Sequence, residues 1–417
     1  MSEDEAARGA RDVIVFSGAL YDAPLWTNRQ QIATRLAQRG WRVLYVEPRL
    51  FLFRRLLGLR SGSLEDFLRK SVGGLRWLLR HTVPWNATSN LWILAQSNRI
   101  PGSRRRPNIG RLNHIMFNAW NVRWQAKRLG FRSPVLLLYD TEAVEFLDDF
   151  PQSRVVYDCV DDHRASAATA WGAARVEREE AEILARAAAV AVTTEPLFER
   201  FSMLHPAVHL VPNAADVQAF LEAPSHEPSD ISGVPHPRIG TVGALDTYKV
   251  DSALLQKVIV AHPEWHFVFV GPIEYRAGHP LGFASRIRRG SRGSTGGDVR
   301  ALGAFPNVHF FGPKPRGEVP AYVHAFDVAA IPYRDSRYNR SSFPLKFWEF
   351  VASGKPVVVS GLPSLARYRS LIFMARTPAE FASAVHEALR DPRKGMADRV
   401  AEARRHNWNG RVDRIEQ

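Results

Sequence analysis

Short, wholly apolar runs recur along this chain, each ending on glycine, proline, an acid or a hydroxyl and each separated from the next by helix-forming sequence. The first half carries DVIVFSG (12–18), WRVLYVEP (41–48), SPVLLLYD (133–140), RVVYDCVDDH (154–163) and VAVTT (190–194). The second half restarts the series with PRIGTVGAL (237–245), WHFVFVGP (265–272), NVHFFGP (307–313), DVAAIPY (327–333) and the valines at 357–359. Strands buried on both faces read this way, whereas a half-exposed strand alternates apolar and polar residues. Parallel neighbours need a crossover, and the intervening helices supply it. The pattern predicts an α/β chain of two doubly wound, Rossmann-like domains facing each other across a cleft.

Ligands of such sheets bind at the carboxyl ends of the strands. That places the loop after the first strand, Ser17–Asn28, in the cleft, with Trp26 and Asn28 as candidate contacts to an acceptor or a sugar. The loop has no Gly-x-Gly-x-x-Gly, so a dinucleotide cofactor is not expected. The sequence further predicts helices over 109–129, 141–150, 165–189 and 195–201. At 417 residues the chain is too long for a single core. Residues 222–238 (EAPSHEPSDISGVPHPR) are rich in Pro, Ser and acids, the composition of a linker. The resulting division is an unstructured tail over 1–11, an N-terminal domain over 12–215, a linker over 216–237, a second domain over 238–395 and a closing helix over 396–417. The Gly/Ser/Arg-rich stretch 274–302 reads as an inserted loop.

A formal net charge of +14 calls for nucleic acid, an anionic membrane or a phosphorylated substrate as partner. The excess is concentrated between Arg49 and Arg106, where Glu65 and Asp66 are the only acids and Phe, Leu and Trp are interleaved with Arg. Such a stretch fits an interfacial segment on anionic lipid; the other reading is that its apolar faces pack on the N-terminal sheet while the arginines stay solvated. It contains no nucleic-acid-binding module, so nucleic acid is not expected as a partner. Cys159 is the single cysteine, which excludes a disulfide framework and fits a reducing compartment. The opening MSEDEAARGARD is not a signal peptide, and no apolar run reaches the ~18–20 residues needed to span a bilayer. A cytoplasmic protein is expected, with the inner face of the cell membrane as a peripheral location.

The most specific segment is YRDSRYNRSSFPLKFWEFVASGKPVVVSGLPSLA (333–366). Its centre reads as a helix from Pro344 to Ser353, with Pro in the first turn and Gly354 just past the end. Lys346 and Glu349 fall three apart and share a face. Glu349 is flanked by Phe347, Trp348, Phe350 and Val351, so its carboxylate needs either a partner or a ligand hydroxyl. A Lys346–Glu349 pair without ligand is the simpler alternative.

This segment resembles the nucleotide-sugar site of GT-B glycosyltransferases, particularly the retaining family 4 type and its bacterial subgroup for teichuronic acid and exopolysaccharide assembly. There a Glu on a helix ending in Ala-x-Gly-x-Pro-Val holds the donor ribose hydroxyls; it corresponds to Glu349. A second Glu eight residues upstream contacts the sugar in that family. Here the position is Ser341, followed by Ser342, and both are candidate donor contacts along with Lys346. GTVGALDTYKVD (240–251) is similar to the family's glycine-rich turn, which implies that Gly243 and Lys249 face the donor diphosphate. Where the family has a second cation after that Gly, this chain has Ala244; Arg337 and Arg340 are candidates to replace it. VPNAAD (211–216) resembles the Pro-Asn-Gly-Val-Asp turn at the domain junction.

Asp158, Asp161, Asp162 and His163 crowd at the end of one strand. Three acids together favour at least one raised pKa, suited to proton handling at an acceptor hydroxyl. Asp158 is expected to face the cleft, with Asp162 and His163 as further catalytic candidates, and Asp161 or Asp162 to cap the next helix. The cluster is also oxygen-rich enough for Mg²⁺ or Mn²⁺, but the resemblance implies no bound metal and no tightly bound cofactor. It implies a nucleoside-diphosphate sugar, UDP- or GDP-linked, as co-substrate. The acceptor would be a lipid-linked or saccharide hydroxyl, with retention of configuration. A nucleotide-sugar epimerase and a catalytically silent scaffold, the latter suggested by Ser341 and Ala244, are the alternatives.

Overall fold

The computed structural model describes residues 11–23, 25–51, 84–98, 100, 107–165, 170–222, 224–273 and 298–417. Two open sheets account for the two trains of apolar runs. The first has eight strands: β1 (Asp12–Phe16), β2 (Arg42–Phe51), β3 (Trp85–Thr88), β4 (Leu91–Asn98), β5 (Val135–Leu138), β6 (Val155–Cys159), β7 (Ala187–Val192) and β8 (Val208–Leu210). Their order is β3-β4-β2-β1-β5-β6-β7-β8, parallel except for the edge pair β3–β4. The second sheet contains β9 (Arg238–Val242), β10 (His266–Val270), β11 (Val308–Gly312), β12 (Val328–Pro332), β13 (Val357–Ser360) and β14 (Phe373–Ala375), ordered β11-β10-β9-β12-β13-β14. Its pairs are parallel. The direction of winding reverses beside β1 in one sheet and beside β9 in the other.

Why the strand runs are apolar throughout is visible in the first sheet. Ile14, Phe16, Leu44, Val46, Leu136 and Leu138 pack into one core layer, whereas Val13, Val15, Val43, Tyr45 and Leu137 pack into the other. Successive side chains point to opposite faces, and helices cover both. The second domain has its own core, in which Val357–Val359 and Phe347–Val351 meet.

Several sequence expectations are corrected here. Composition marks 216–237 as linker, yet Val217–Leu221 is a helix, and Val217, Phe220, Ile231 and Val234 are buried in the C-terminal core. These four apolar side chains anchor the stretch on that core. The closing segment is two helices, Met396–Arg405 and Trp408–Glu416. The first packs on the Lys346–Ala352 helix; the second crosses back to the Asn28–Gln38 helix of the first domain, burying Trp408 and Val412 there. The predicted helix over 165–189 is described over Ala170–Leu184, and β7 has begun by Ala187. Within the basic stretch, Leu91–Asn98 is a strand paired parallel with β2. Arg49 is buried against Glu145 at 2.7 Å. Residues 52–83, 99 and 101–106 of that stretch, and 274–297 of the predicted inserted loop, lie outside the described residues. No described helix is long and apolar enough to cross a membrane.

Candidate active site

A cavity of about 490 Å³ lies between the two sheets, within the range of ligand sites. The first domain contributes Trp26, Asn28, Arg29 and Asp161; the second contributes Gly243, Lys249, Lys314, Arg316, Ser342, Lys346 and Glu349. The junction residues Asn213 and Asp216 also line it.

Glu349 sits in the first turn of the Lys346–Ala352 helix. Phe347, Trp348, Phe350 and Val351 are fully buried on the core side, which leaves Glu349 as the position that turns toward the cavity. Its carboxylate has no hydrogen bond or ion pair among the described residues. Burial pushes its pKa up to about 7, with Lys346 and Arg316 pulling the other way. Lys346, one turn earlier, does not pair with it. Its ammonium instead approaches the turn after β9: a Cβ on Gly243 would lie 3.5 Å from Lys346 Nζ.

That turn requires glycine. Gly243 has φ +96°, and its amide donates to Val270 O at 2.8 Å. Gly271 (φ +143°) presses on the same turn; a Cβ there would fall 2.1 Å from Gly243 O. Lys249 Nζ lies 3.2 Å from Asp246 and over the rings of Tyr248 and Tyr338, at 5.1 and 5.9 Å. Burial lowers the Lys249 pKa, but Tyr338, Tyr333, Tyr248 and Asp246 more than offset it, so the group lies well above its ordinary value. It is a fixed cation. Asp246 is its counter-ion.

The proposed replacement cations are elsewhere. Arg340 is exposed and pairs with Asp335 at 2.6 Å, and Arg337 is exposed on the same short helix; neither lines the cavity. Their helix, Arg337–Arg340, is held down by Asn339, whose amide donates to Lys249 O and Arg334 O. The cavity's other cations are Lys346 from beneath the turn and, unanticipated from the sequence, Arg29, Lys314 and Arg316. Lys314 pairs with Asp230 and Arg316 with Asp216. Arg29 has no carboxylate partner among the described residues, and lies 5.9 Å from the Tyr139 ring. Arg29 lies next to Asn28 at the start of a helix after β1, the only sequence signal that could have pointed to it.

The acidic cluster divides otherwise than expected. Asp158 is fully buried and faces away from the cavity. Both its oxygens accept from Arg411 Nη2 at 2.8 Å, so it is an anchor for the last helix rather than a cleft acid. Asp162 accepts from Ala165 N at 3.0 Å, within the turn that follows β6, and has Arg200 3.6 Å away. It is not in the cavity lining either. The His163 ring stacks on Tyr157 at 6.5 Å, also outside. Asp161 is the member that lines the cavity, with its Oδ1 3.4 Å from the Ser342 hydroxyl. The three carboxylates diverge because strand alternation turns Asp158 into the sheet and the following turn reverses Asp162. Among the described residues no group of three or more His, Cys, Asp or Glu side chains gathers as a metal site.

Ser341 stays out of the cavity; its carbonyl accepts from Thr194 Oγ1 at 3.3 Å, while Ser342 lines the wall. Asn28 donates to Asn213 Oδ1 at 2.9 Å, and Asn213 donates on to Phe343 O at 2.5 Å. Asn28 therefore ties the first loop to the segment leading into the Glu349 helix. Trp26 lines the mouth beneath the Arg316 guanidinium, 5.3 Å from it.

The family comparison bears on the second domain: residues 236–391 match the model described as glycosyl transferases group 1. The chain has the GT-B fold, two Rossmann-like domains facing each other. Among its relatives is the Bacillus subtilis (strain 168) protein named as the teichuronic acid biosynthesis glycosyltransferase TuaH, 29% identical over 229 residues. That match takes in 51% of this chain and 52% of the relative, about half the length of each. Solved structures share the fold along nearly the whole chain. Sucrose-phosphate synthase from Thermosynechococcus elongatus superposes with a TM-score of 0.66 at 15% identity, covering 98% of both chains. Anabaena HepE in complex with UDP-glucose gives 0.64 at 15%, covering 97% of this chain and 98% of that one.

Proposed function

We propose that this protein moves a sugar from a nucleoside-diphosphate sugar to the hydroxyl of a saccharide or lipid-linked acceptor, with retention of configuration, in the synthesis of a cell-surface polysaccharide. The observation that carries the reading is the Glu349 carboxylate, without a partner among the described residues and lining the cavity beside a glycine turn flanked by Lys249 and Lys346. A carboxylate without a protein partner suits two ribose hydroxyls, and a glycine turn with two cations suits a diphosphate. Uridine is the favoured base, since HepE is described with UDP-glucose; guanosine is the other. The TuaH likeness supports a cell-surface polysaccharide as the product.

In the reaction, the acceptor oxygen bonds to the anomeric carbon as the bond from that carbon to the diphosphate oxygen breaks. The acceptor proton must leave, and the departing diphosphate gains charge. Lys249, Lys346 and Arg29 are the groups placed to hold that charge without reorganising. Asp161 is the cavity acid of the cluster, opposite them on the first domain, and is assigned the acceptor hydroxyl. The test offers UDP-glucose, UDP-N-acetylglucosamine, UDP-glucuronate and GDP-mannose separately, with a membrane extract as acceptor source. Transfer of label into the extract from one donor, with release of its nucleoside diphosphate, is expected. Release of an epimerised nucleotide sugar without acceptor would replace transfer by epimerisation, and binding without turnover of any donor would replace it by a silent scaffold.

A further inference from the structure

The helical segment 107–128 of the first domain carries an exposed apolar stripe. It runs as Pro107–Asn113, a π turn over His114–Ala119, and Trp120–Arg128. One face is anchored. Val122 and Ala126 enter the core, His114 Nε2 meets Asp149 at 2.9 Å, and the His114 ring packs edge-on against Phe146 at 4.6 Å. The opposite face exposes Leu112, Ile115, Met116, Trp120 and Trp124, with Trp120 63% exposed and Met116 54%. Trp120 and Trp124 stack on each other with ring centroids 5.9 Å apart.

The π turn explains why the stripe is straight. Positions 112, 116, 120 and 124 recur every four residues, and a helix of 3.6 residues per turn would let them drift around its axis. A wider turn in the middle counters the drift and holds all four on one side. Arg111, Arg123, Lys127 and Arg128 are exposed beside the stripe. None of them has a carboxylate partner among the described residues, and no acid occurs in the sequence between Asp66 and Asp140.

We infer that this face lies on an anionic membrane surface, the tryptophans at the level of the headgroups and the four cations against them. Charge chooses the occupant. Two copies of the chain meeting on this face would set like charges against each other, whereas anionic lipid complements every one of them. Exposed Trp flanked by Arg and Lys on a helix lying in the interface is the pattern such surfaces use. The location goes beyond the donor reading and does not depend on it. It also differs from the basic stretch 49–106, for which the sequence alone suggested lipid.

The test is co-sedimentation of the full chain with vesicles of phosphatidylcholine alone or mixed with phosphatidylglycerol, at low and at high salt. The expected result is retention by the anionic vesicles at low salt. A fall of about ten-fold or more is expected in Trp120→Ser/Trp124→Ser, and again in Arg123→Gln/Lys127→Gln. Met374→Ser, at an exposed apolar position of the second domain, should bind as wild type and controls for general surface apolarity. Circular dichroism melts and UDP affinity establish that the variants are folded. No retention by anionic vesicles, or equal retention of folded tryptophan variants, overturns the assignment. So does a concentration-dependent dimer in sedimentation that the tryptophan variant abolishes, which would make the face a self-contact. None of these outcomes touches the donor site, whose nucleotide affinity is read separately.

Discussion

Arg411 and Asp158 stand 253 residues apart in sequence and meet as a buried pair, one guanidinium nitrogen reaching both carboxylate oxygens at 2.8 Å. Arg411 also donates to the carbonyls of Val211 and Pro212. One side chain thus fastens the last helix to the end of β6 and to the junction where the chain leaves the first domain.

Removing one partner of such a pair leaves the other charge buried and uncompensated, which costs about 3–5 kcal/mol. Arg411→Met should lower stability in urea unfolding by that amount, and Asp158→Leu combined with Arg411→Met should recover part of it. A loss below about 1 kcal/mol in the single variant would mean that the pair is not an anchor.

The cations around the cavity divide sharply in what they should do. Lys249→Ala or Lys346→Ala removes a charge placed at the glycine turn, and each should weaken UDP binding by roughly 10–100-fold, the size of a charge-assisted contact. Arg340→Ala breaks only the exposed pair with Asp335 and should leave UDP affinity unchanged. Calorimetric titration of the three variants decides it, and equal losses in all three would contradict the placement.

Glu349 has a stability consequence of definite sign. Its folded pKa, raised to about 7 from 4.5, means that the folded state holds a proton the unfolded chain has released. Stability from this group is therefore full below about pH 4.5 and is lost as pH rises through 7. Glu349→Gln should raise the unfolding free energy more at pH 8 than at pH 5, by an amount on the order of 1–3 kcal/mol at the higher pH. An equal gain at both would show that the carboxyl is not held up. The same titration should make UDP-sugar binding tighter on going from pH 6 to 8 in wild type but not in Glu349→Gln.

The pattern of βα units, the domain count and the position of Glu349 were legible in the sequence because each rests on local signals. The runs DVIVF and VVV are apolar on both faces because both faces are covered, and Pro344 and Gly354 bracket the helix that presents Glu349. The acidic cluster was not legible in the same way. Nothing near Asp158 announces that Arg411 will arrive from the far end of the chain, so a buried anchor and a cleft acid look alike. Arg337 and Arg340 are near Glu349 in sequence but on the outside of a short helix, while Arg316 and Lys314 reach the cavity from after β11 by way of the fold alone. The packing of the linker was not legible because Pro and Ser dominate the composition of 222–238 while a few apolar side chains, Ile231 and Val234 among them, decide where it packs.

Asp161 and Asp162, adjacent in sequence, should separate in kinetics. Asp161→Asn should lower kcat by about 10²-fold or more if it handles the acceptor proton, with donor affinity little changed. Asp162→Asn weakens the turn held by Ala165 N and should show mainly in the melting temperature. A matching loss of kcat in both would assign the effect to packing of the turn.

The most direct measurement is the affinity of UDP and UDP-glucose for wild type and for Glu349→Ala, by calorimetry at pH 8. A carboxylate that holds ribose hydroxyls predicts measurable binding in wild type and a loss of roughly 10–100-fold in the variant. Equal affinity in a folded Glu349→Ala protein, or no binding of any nucleotide by wild type, would contradict the donor site described here.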